Sequence, residues 1–175
     1  MSRLNAKIII SLAFLVLFIG FCHVANLYVQ CFFYPREYEA YVEKYAKEYS
    51  VPEYVVYSVI LVESKFDKEA VSSKGACGLM QLMPDTYEWL LELENGKKGD
   101  LFDAEENIKY GTYYLSMLYE RYEDWTLALC AYNAGMGNVD KWLLEEPFEI
   151  RFLETQYYVN KLEVAIDKYK SLYYR

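Results

Sequence analysis

Residues Ile8 to Val29 read IIISLAFLVLFIGFCHVANLYV, 22 residues without a formal charge. A helix needs about 20 apolar residues to cross a bilayer core, so this run is long enough to span one. Arg3 and Lys7 precede it, which favours an N-terminus held in the cytoplasm. A cleaved signal peptide would carry a shorter apolar core of about 7–15 residues and a small-residue cleavage site. No clear A-x-A site follows the run. Cys22 follows Phe21 and Cys31 follows Gln30, so neither has the small neighbour expected before a lipid-modified cysteine. The expected division is a cytoplasmic N-terminus over 1–7, a transmembrane signal anchor over 8–29, a junction over 30–35 and an extracytoplasmic domain over 36–175.

Charge and residue counts narrow what that domain can do. The chain of 175 residues carries a net charge of −8. Without Arg3 and Lys7, 16 positive charges face 26 negative ones, a net of −10. That balance argues against a nucleic-acid partner, which asks for a basic footprint. The one histidine, His23, lies inside the apolar run. The domain therefore has no imidazole for a His-based zinc site or for a Ser-His or Cys-His nucleophile. No metal and no cofactor is expected. Carboxylates, hydroxyls, amides or the substrate itself would carry any chemistry. With 54% apolar and 18% aromatic residues, 20 of them Tyr, the chain is no disordered tail. Cys77 and Cys130 could pair outside the cytoplasm, but two separate thiols, with Cys130 a small buried apolar group, fit better.

The domain reads as helices throughout. Tyr38, Tyr41, Val42, Tyr45 and Tyr49 fall at helical spacing over 36–49. Pro35 and Pro52 suit first-turn positions. A second helix follows Pro52, with Val56, Val59 and Ile60 on its stripe. Pro84 opens a helix that ends at Asn95-Gly96. Asp103 with Glu106 has capping-box spacing. The helix after it carries Ile108, Tyr114, Leu115, Leu118, Tyr119 and Tyr122 on its apolar stripe. Asp124 caps another, which Gly135 stops. A short VDKWLL segment follows, and the last helix runs from about Thr155 with Tyr158, Leu162, Ala165, Ile166 and Tyr169 on one face. The expected class is all-α, as one domain with no internal repeat.

Residue 63 continues the stripe of the second helix, and it is Glu63. A carboxylate on an apolar stripe is costly to ionise, and the C-terminal end of a helix disfavours negative charge. Both effects raise its pKa, as a general acid near neutral pH requires. On spacing alone, a solvent-facing Glu paired with Lys65 or Lys68 is the better reading.

The context reverses that reading. From Glu63 the chain carries ES-x-F, then A-x-S-x-x-GA-x-GLMQ-x-MP-x-T, then NI-x-x-G-x-x-YL, AYNAG-x-G and ET-x-x-YV, in order over residues 63–159. Each block alone is weak, and each is a hypothesis awaiting its structural context. Together, at these spacings, they resemble the lytic transglycosylases of the soluble-lytic-transglycosylase type, which cleave bacterial peptidoglycan and have a lysozyme-like fold. The resemblance implies Glu63 as the catalytic acid/base. It implies Ser72, Gln81, Met83, Tyr114, Tyr132, Asn133, Glu154 and Tyr158 as substrate-binding positions. Taken without the resemblance, Met83 and Tyr114 read as core, Tyr132 as a packed aromatic and Glu154 as a carboxylate favouring a helix start. Lys68, Tyr87 and Gln156 depart from the family's frequent proline, alanine and arginine.

The resemblance also implies a one-carboxylate reaction in place of the usual pair. Glu63 would protonate the bond between N-acetylmuramic acid and N-acetylglucosamine. The muramyl N-acetyl group would assist, and the C6 hydroxyl of the same sugar would close a 1,6-anhydro ring. Held geometry favours such an internal nucleophile. The implied partners are peptidoglycan glycan strands and, through the N-terminal helix, the cytoplasmic membrane. Protein partners are not indicated. The competing expectations are a goose-type lysozyme-like hydrolase and a tethered wall-binding scaffold without turnover.

Overall fold

A computed structural model describes the backbone of residues 3–174, with the side chains of 3–6 and 8–10 outside the described set. Met1, Ser2 and the Arg3 side chain, which bear on the expected cytoplasmic leader, lie outside the described residues. So do the side chains of Ile8, Ile9 and Ile10 and the C-terminal Arg175. The chain forms two compact units, Met1–Pro35 and Arg36–Arg175.

The first unit is one helix, α1 (Arg3–Phe33). Its stretch Ser11–Phe33 has 23 residues and is apolar enough to cross a membrane. At about 1.5 Å per residue that stretch exceeds the hydrocarbon thickness. None of its residues is buried within the protein, so its apolar surface has no protein core to enter.

The second unit is helical among the described residues. Its elements are α2 (Glu39–Glu48), α3 (Glu53–Glu63), α4 (Pro84–Glu94), α5 (Ala104–Tyr122), α6 (Trp125–Ala134), α7 (Met136–Leu143) and α8 (Leu153–Tyr173). The central helix is α3. Val55, Val56, Tyr57, Val59 and Ile60 are all essentially inaccessible, as expected for a helix that is apolar nearly all round. It lies against α8 and α2, while α5 packs on α6, α2 and α4, and α6 reaches α7 and α8. Ser58 sits in this core without penalty, because its hydroxyl donates to the Tyr54 carbonyl at 2.6 Å.

The sequence signals for the helix ends act as physics requires, with shifts. The Asp103 side chain accepts from the Glu106 amide and that of Asp124 from the Leu127 amide. Pro84 occupies the first turn of α4. That helix ends at Asn95-Gly96 as expected, with Asn95 itself in the left-handed region at φ 51°; Asn tolerates it. Pro52 caps α3 from just outside the helix. Helix α2 begins four residues after Pro35, since Tyr38 is left-handed (φ 58°) and cannot be its first turn. Several stripe residues lie outside the buried core, among them the half-buried Tyr41, Tyr49 and Tyr122. Tyr119 is exposed and stacks on Trp125 with ring centres 4.4 Å apart, and Ile166 is half-buried. Cys77 and Cys130 are separate thiols.

Between α3 and α4 the chain makes turns, with isolated bridges Val71–Cys77 and Cys77–Leu82. Asn107 of α5, fully buried, holds this segment in shape. Its Oδ1 accepts from the Met80 amide at 2.7 Å, and its Nδ2 donates to the Cys77 and Leu101 carbonyls at 3.0 and 2.8 Å. Gly78 is required here twice over. Its φ is +77°, and a Cβ would fall 2.3 Å from the Asn107 amide nitrogen.

Candidate active site

Glu63 is the last residue of α3, and it opens into a pocket of about 240 Å³. Six further expected residues line that pocket: Ser72, Gln81, Met83, Tyr132, Asn133 and Glu154. Tyr114 and Tyr158 do not line it; both are buried, Tyr114 against the Tyr132 ring and Tyr158 beside Glu63. A larger depression of about 500 Å³ beside the end of α4 is a shallow surface feature lined by Glu88, Glu92 and Lys98. The Glu63 pocket is the better enclosed.

Each lining residue is held by the element that carries it. The Ser72 hydroxyl accepts from the Ala76 amide at 2.9 Å, closing the turn that contains Gly75. Gln81 is left-handed (φ 50°), and its Nε2 donates to the Ala70 and Gly78 carbonyls at 3.0 and 2.9 Å. Its amide nitrogen is thus committed to the loop. Met83 is 40% exposed, so it forms pocket surface rather than core. The Tyr132 hydroxyl donates to the Met80 carbonyl at 2.8 Å and ties α6 to the loop below. Asn133 accepts from the Thr155 hydroxyl at 2.8 Å, which occupies its Oδ1. Tyr114 is buried, with its ring 5.3 Å from that of Tyr132 and 6.2 Å from that of Trp89.

The electrostatics single out Glu63. Burial pushes its carboxyl up from the ordinary range to about 7, and the neighbouring Tyr158 hydroxyl opposes part of that rise. The Tyr158 contact is looser than a full hydrogen bond, and this buried hydroxyl has no other partner. Burial lifts the phenols of Tyr132 and Tyr158 well above their usual value, with the Glu63 charge adding to the effect. That of Tyr114 is pushed up to about 12. All three tyrosines are therefore neutral donors at any physiological pH. Glu63 alone among these four is poised to gain or lose a proton near neutrality, which suits a group that must act first as acid and then as base.

Glu154, the second carboxylate, is in a different state. It is exposed at the start of α8, and the Lys74 ammonium donates to its two oxygens at 3.2 and 3.1 Å. Ser73, Lys74 and Ala76 also line the pocket. Periodicity does not single them out, because they lie on an irregular turn; their place between Ser72 and Gly78 was the available signal. Of the departures, Tyr87 is buried and its hydroxyl bonds Glu106 and the Gly99 amide. Gln156 bonds the Ile150 carbonyl, and Lys68 is an exposed residue paired with Glu69. Among the described residues no cluster of three or more His, Cys, Asp or Glu side chains could hold a metal ion.

Comparison with known proteins gives this arrangement a family. The chain is 31% identical over 115 residues to the soluble lytic murein transglycosylase of Escherichia coli K12, covering 63% of this chain and 18% of that protein. It is 34% identical over 119 residues to the membrane-bound lytic murein transglycosylase C of Haemophilus ducreyi, covering 61% and 32%. The crystal structure of the 70-kDa soluble lytic transglycosylase of Escherichia coli superposes with a TM-score of 0.75 at 28% identity, covering 79% of this chain and 25% of that one. The chain thus spans less than a third of the length of each of these relatives. Residues 40–151, more than half of the chain, match the Transglycosylase SLT domain. With its all-helical, lysozyme-like fold, the chain belongs to that family.

Proposed function

We propose that this chain is a membrane-anchored lytic transglycosylase of peptidoglycan, with Glu63 as its acid and base. The observation that carries the reading is the state of the two pocket carboxyls. Glu63 is pushed up to about 7 by burial, while Glu154 lies exposed in an ion pair with Lys74. A hydrolase of the usual kind needs a second carboxylate free to attack or to activate water. A Glu154 side chain that is 69% exposed is not held in a fixed position for either task. One protonated carboxyl in an enclosed pocket supports the internal route.

In that route Glu63 gives its proton to the glycosidic oxygen as the bond from the muramyl anomeric carbon breaks. The muramyl N-acetyl oxygen stabilises the electron-poor carbon. Glu63, now ionised, takes the proton of the muramyl C6 hydroxyl, whose oxygen bonds the anomeric carbon and closes the 1,6-anhydro ring. The proton balance returns to its start, and no water is consumed. The neutral hydroxyl of Tyr158 would steady the carboxylate between the two steps, as its lowering influence on the Glu63 pKa supports. The remaining polar lining would orient the sugar.

The domain would work outside the cytoplasm. Arg3 and Lys7 lie at the start of α1, ahead of its apolar stretch Ser11–Phe33, and positive charge before a spanning segment favours a cytoplasmic N-terminus. In this reading residues 8–29 are the anchor and 36–175 the catalytic domain facing the wall. The test is digestion of purified peptidoglycan by the full chain in detergent. Wild type should solubilise the wall, and Glu63→Gln should not. Equal digestion by both would refute the assignment of Glu63.

A further inference from the structure

One charged group in the pocket has no part in the chemistry above. Among the described residues that line it, Lys74 is the one basic side chain. It reaches across to Glu154, 80 residues later in the chain, at 3.1–3.2 Å. Both side chains face solvent, at 72% and 69% exposure, and an exposed pair of this kind is weak and readily exchanged. Lys74 does not tune the acid, because burial and Tyr158 account for the state of Glu63. It does not fill the core either. What it offers is a movable ammonium beside the acid, in a domain whose net charge of −10 otherwise repels anions.

The proposed substrate alternates two sugars that differ chemically at one point. The muramyl residue carries a lactyl ether, which ends in a carboxyl group; the glucosaminyl residue has a plain hydroxyl there. In bare strands the lactyl carboxylate is free. In peptide-bearing strands it is an amide, and the stem brings carboxylates of its own. Either source presents an oxygen anion to an ammonium donor.

We propose that Lys74 reads a carboxylate on the muramyl side arm, releasing Glu154 as the sugar seats beside Glu63. The inference rests on the peptidoglycan reading of the site. Its consequence is register: the cation distinguishes muramyl from glucosaminyl residues, so it selects which of two alternating bonds meets the acid. Glu154 turns to solvent, where its exposure already places most of its side chain. Lys74 is thus a specificity residue, and Glu154 is the partner that holds it in place while the pocket is empty.

Binding separates this from the reaction itself. Full-length Glu63→Gln in detergent would be titrated with three glycan oligomers: free lactyl carboxylates, lactyl carboxyls converted to primary amides, and lactyl carboxyls bearing peptide stems. At least one carboxylate form should bind about tenfold tighter than the amide form, the scale of one charge-assisted contact, and added salt should erode that preference. A preference for the lactyl form alone, or for the stem form alone, identifies the source. In Glu63→Gln/Lys74→Gln the preference should vanish, and in Glu63→Gln/Lys74→Arg it should persist. Equal binding of all three oligomers by the Lys74-bearing protein would overturn the inference, as would a preference that survives Lys74→Gln. A preference observed with a wild-type chain that digests no wall would instead sink the lytic reading and leave Lys74 as an anion reader.

Discussion

Glu63→Gln should stabilise the domain, and the size of the gain should depend on pH. Burial pushes the Glu63 carboxyl from its ordinary value of about 4.5 to about 7. The folded protein therefore holds a proton that the unfolded chain releases once the pH exceeds about 4.5. Between those values the folded state binds more protons, so stability falls as pH rises. Below about 4.5 both states are protonated and nothing is lost; above about 7 both are ionised and the loss is complete. One pKa unit corresponds to about 1.4 kcal/mol, so the full loss is about 3 kcal/mol. Glutamine has nearly the same shape and cannot ionise. The variant should match wild type near pH 4 and exceed it by about 3 kcal/mol at pH 8, the difference opening between pH 4.5 and 7. Urea unfolding of the full chain in detergent, followed by the near-ultraviolet signal of its tyrosines, measures this at each pH. A difference that is flat with pH, or that opens below pH 4.5, would refute the claim that burial raises this carboxyl.

Other outcomes follow from particular contacts. Turnover that needs protonated Glu63 should decline above about pH 7, and Tyr158→Phe should move that decline to higher pH, because Tyr158 opposes the rise in the Glu63 pKa. An unmoved alkaline limb in the pH–rate profile would contradict the contact. Asn107→Ala removes three hydrogen bonds from the buried clamp on the pocket loop. It should cost about 3 kcal/mol or more in urea unfolding, since buried partners left unpaired lose about 1–3 kcal/mol each. Lys68→Ala, which removes only an exposed pair with Glu69, should change stability by less than about 0.5 kcal/mol on the same scale.

The helical class was legible because local chemistry decides it. Asp103 and Asp124 cap where their spacing says, Pro84 starts a helix and Gly135 stops one. The start of α2 went astray because Tyr38 took the left-handed region unannounced. Tyr119 could not be told from the core residues around it by period alone, since α5 leaves that flank open to solvent. The grouping of Glu63 with Ser72, Gln81, Tyr132 and Asn133 was legible only through the five blocks. Nothing in helical periodicity brings the end of α3 to the last turn of α6. The loop between α3 and α4 gave no signal of its path, because Asn107 dictates it from a distant helix. Lys74 was missed for the same reason: its partner Glu154 is 80 residues away, and an exposed lysine in a Ser/Gly-rich turn reads as a solvated charge until the fold closes.

The central claim is that one carboxyl, Glu63, cleaves the glycan without water. Mass spectrometry of wall fragments released by the full chain in ¹⁸O-labelled water tests it most directly. The account predicts muramyl ends in the 1,6-anhydro form, with no label incorporated, and no such products from Glu63→Gln. Reducing muramyl ends carrying the heavy oxygen would contradict it.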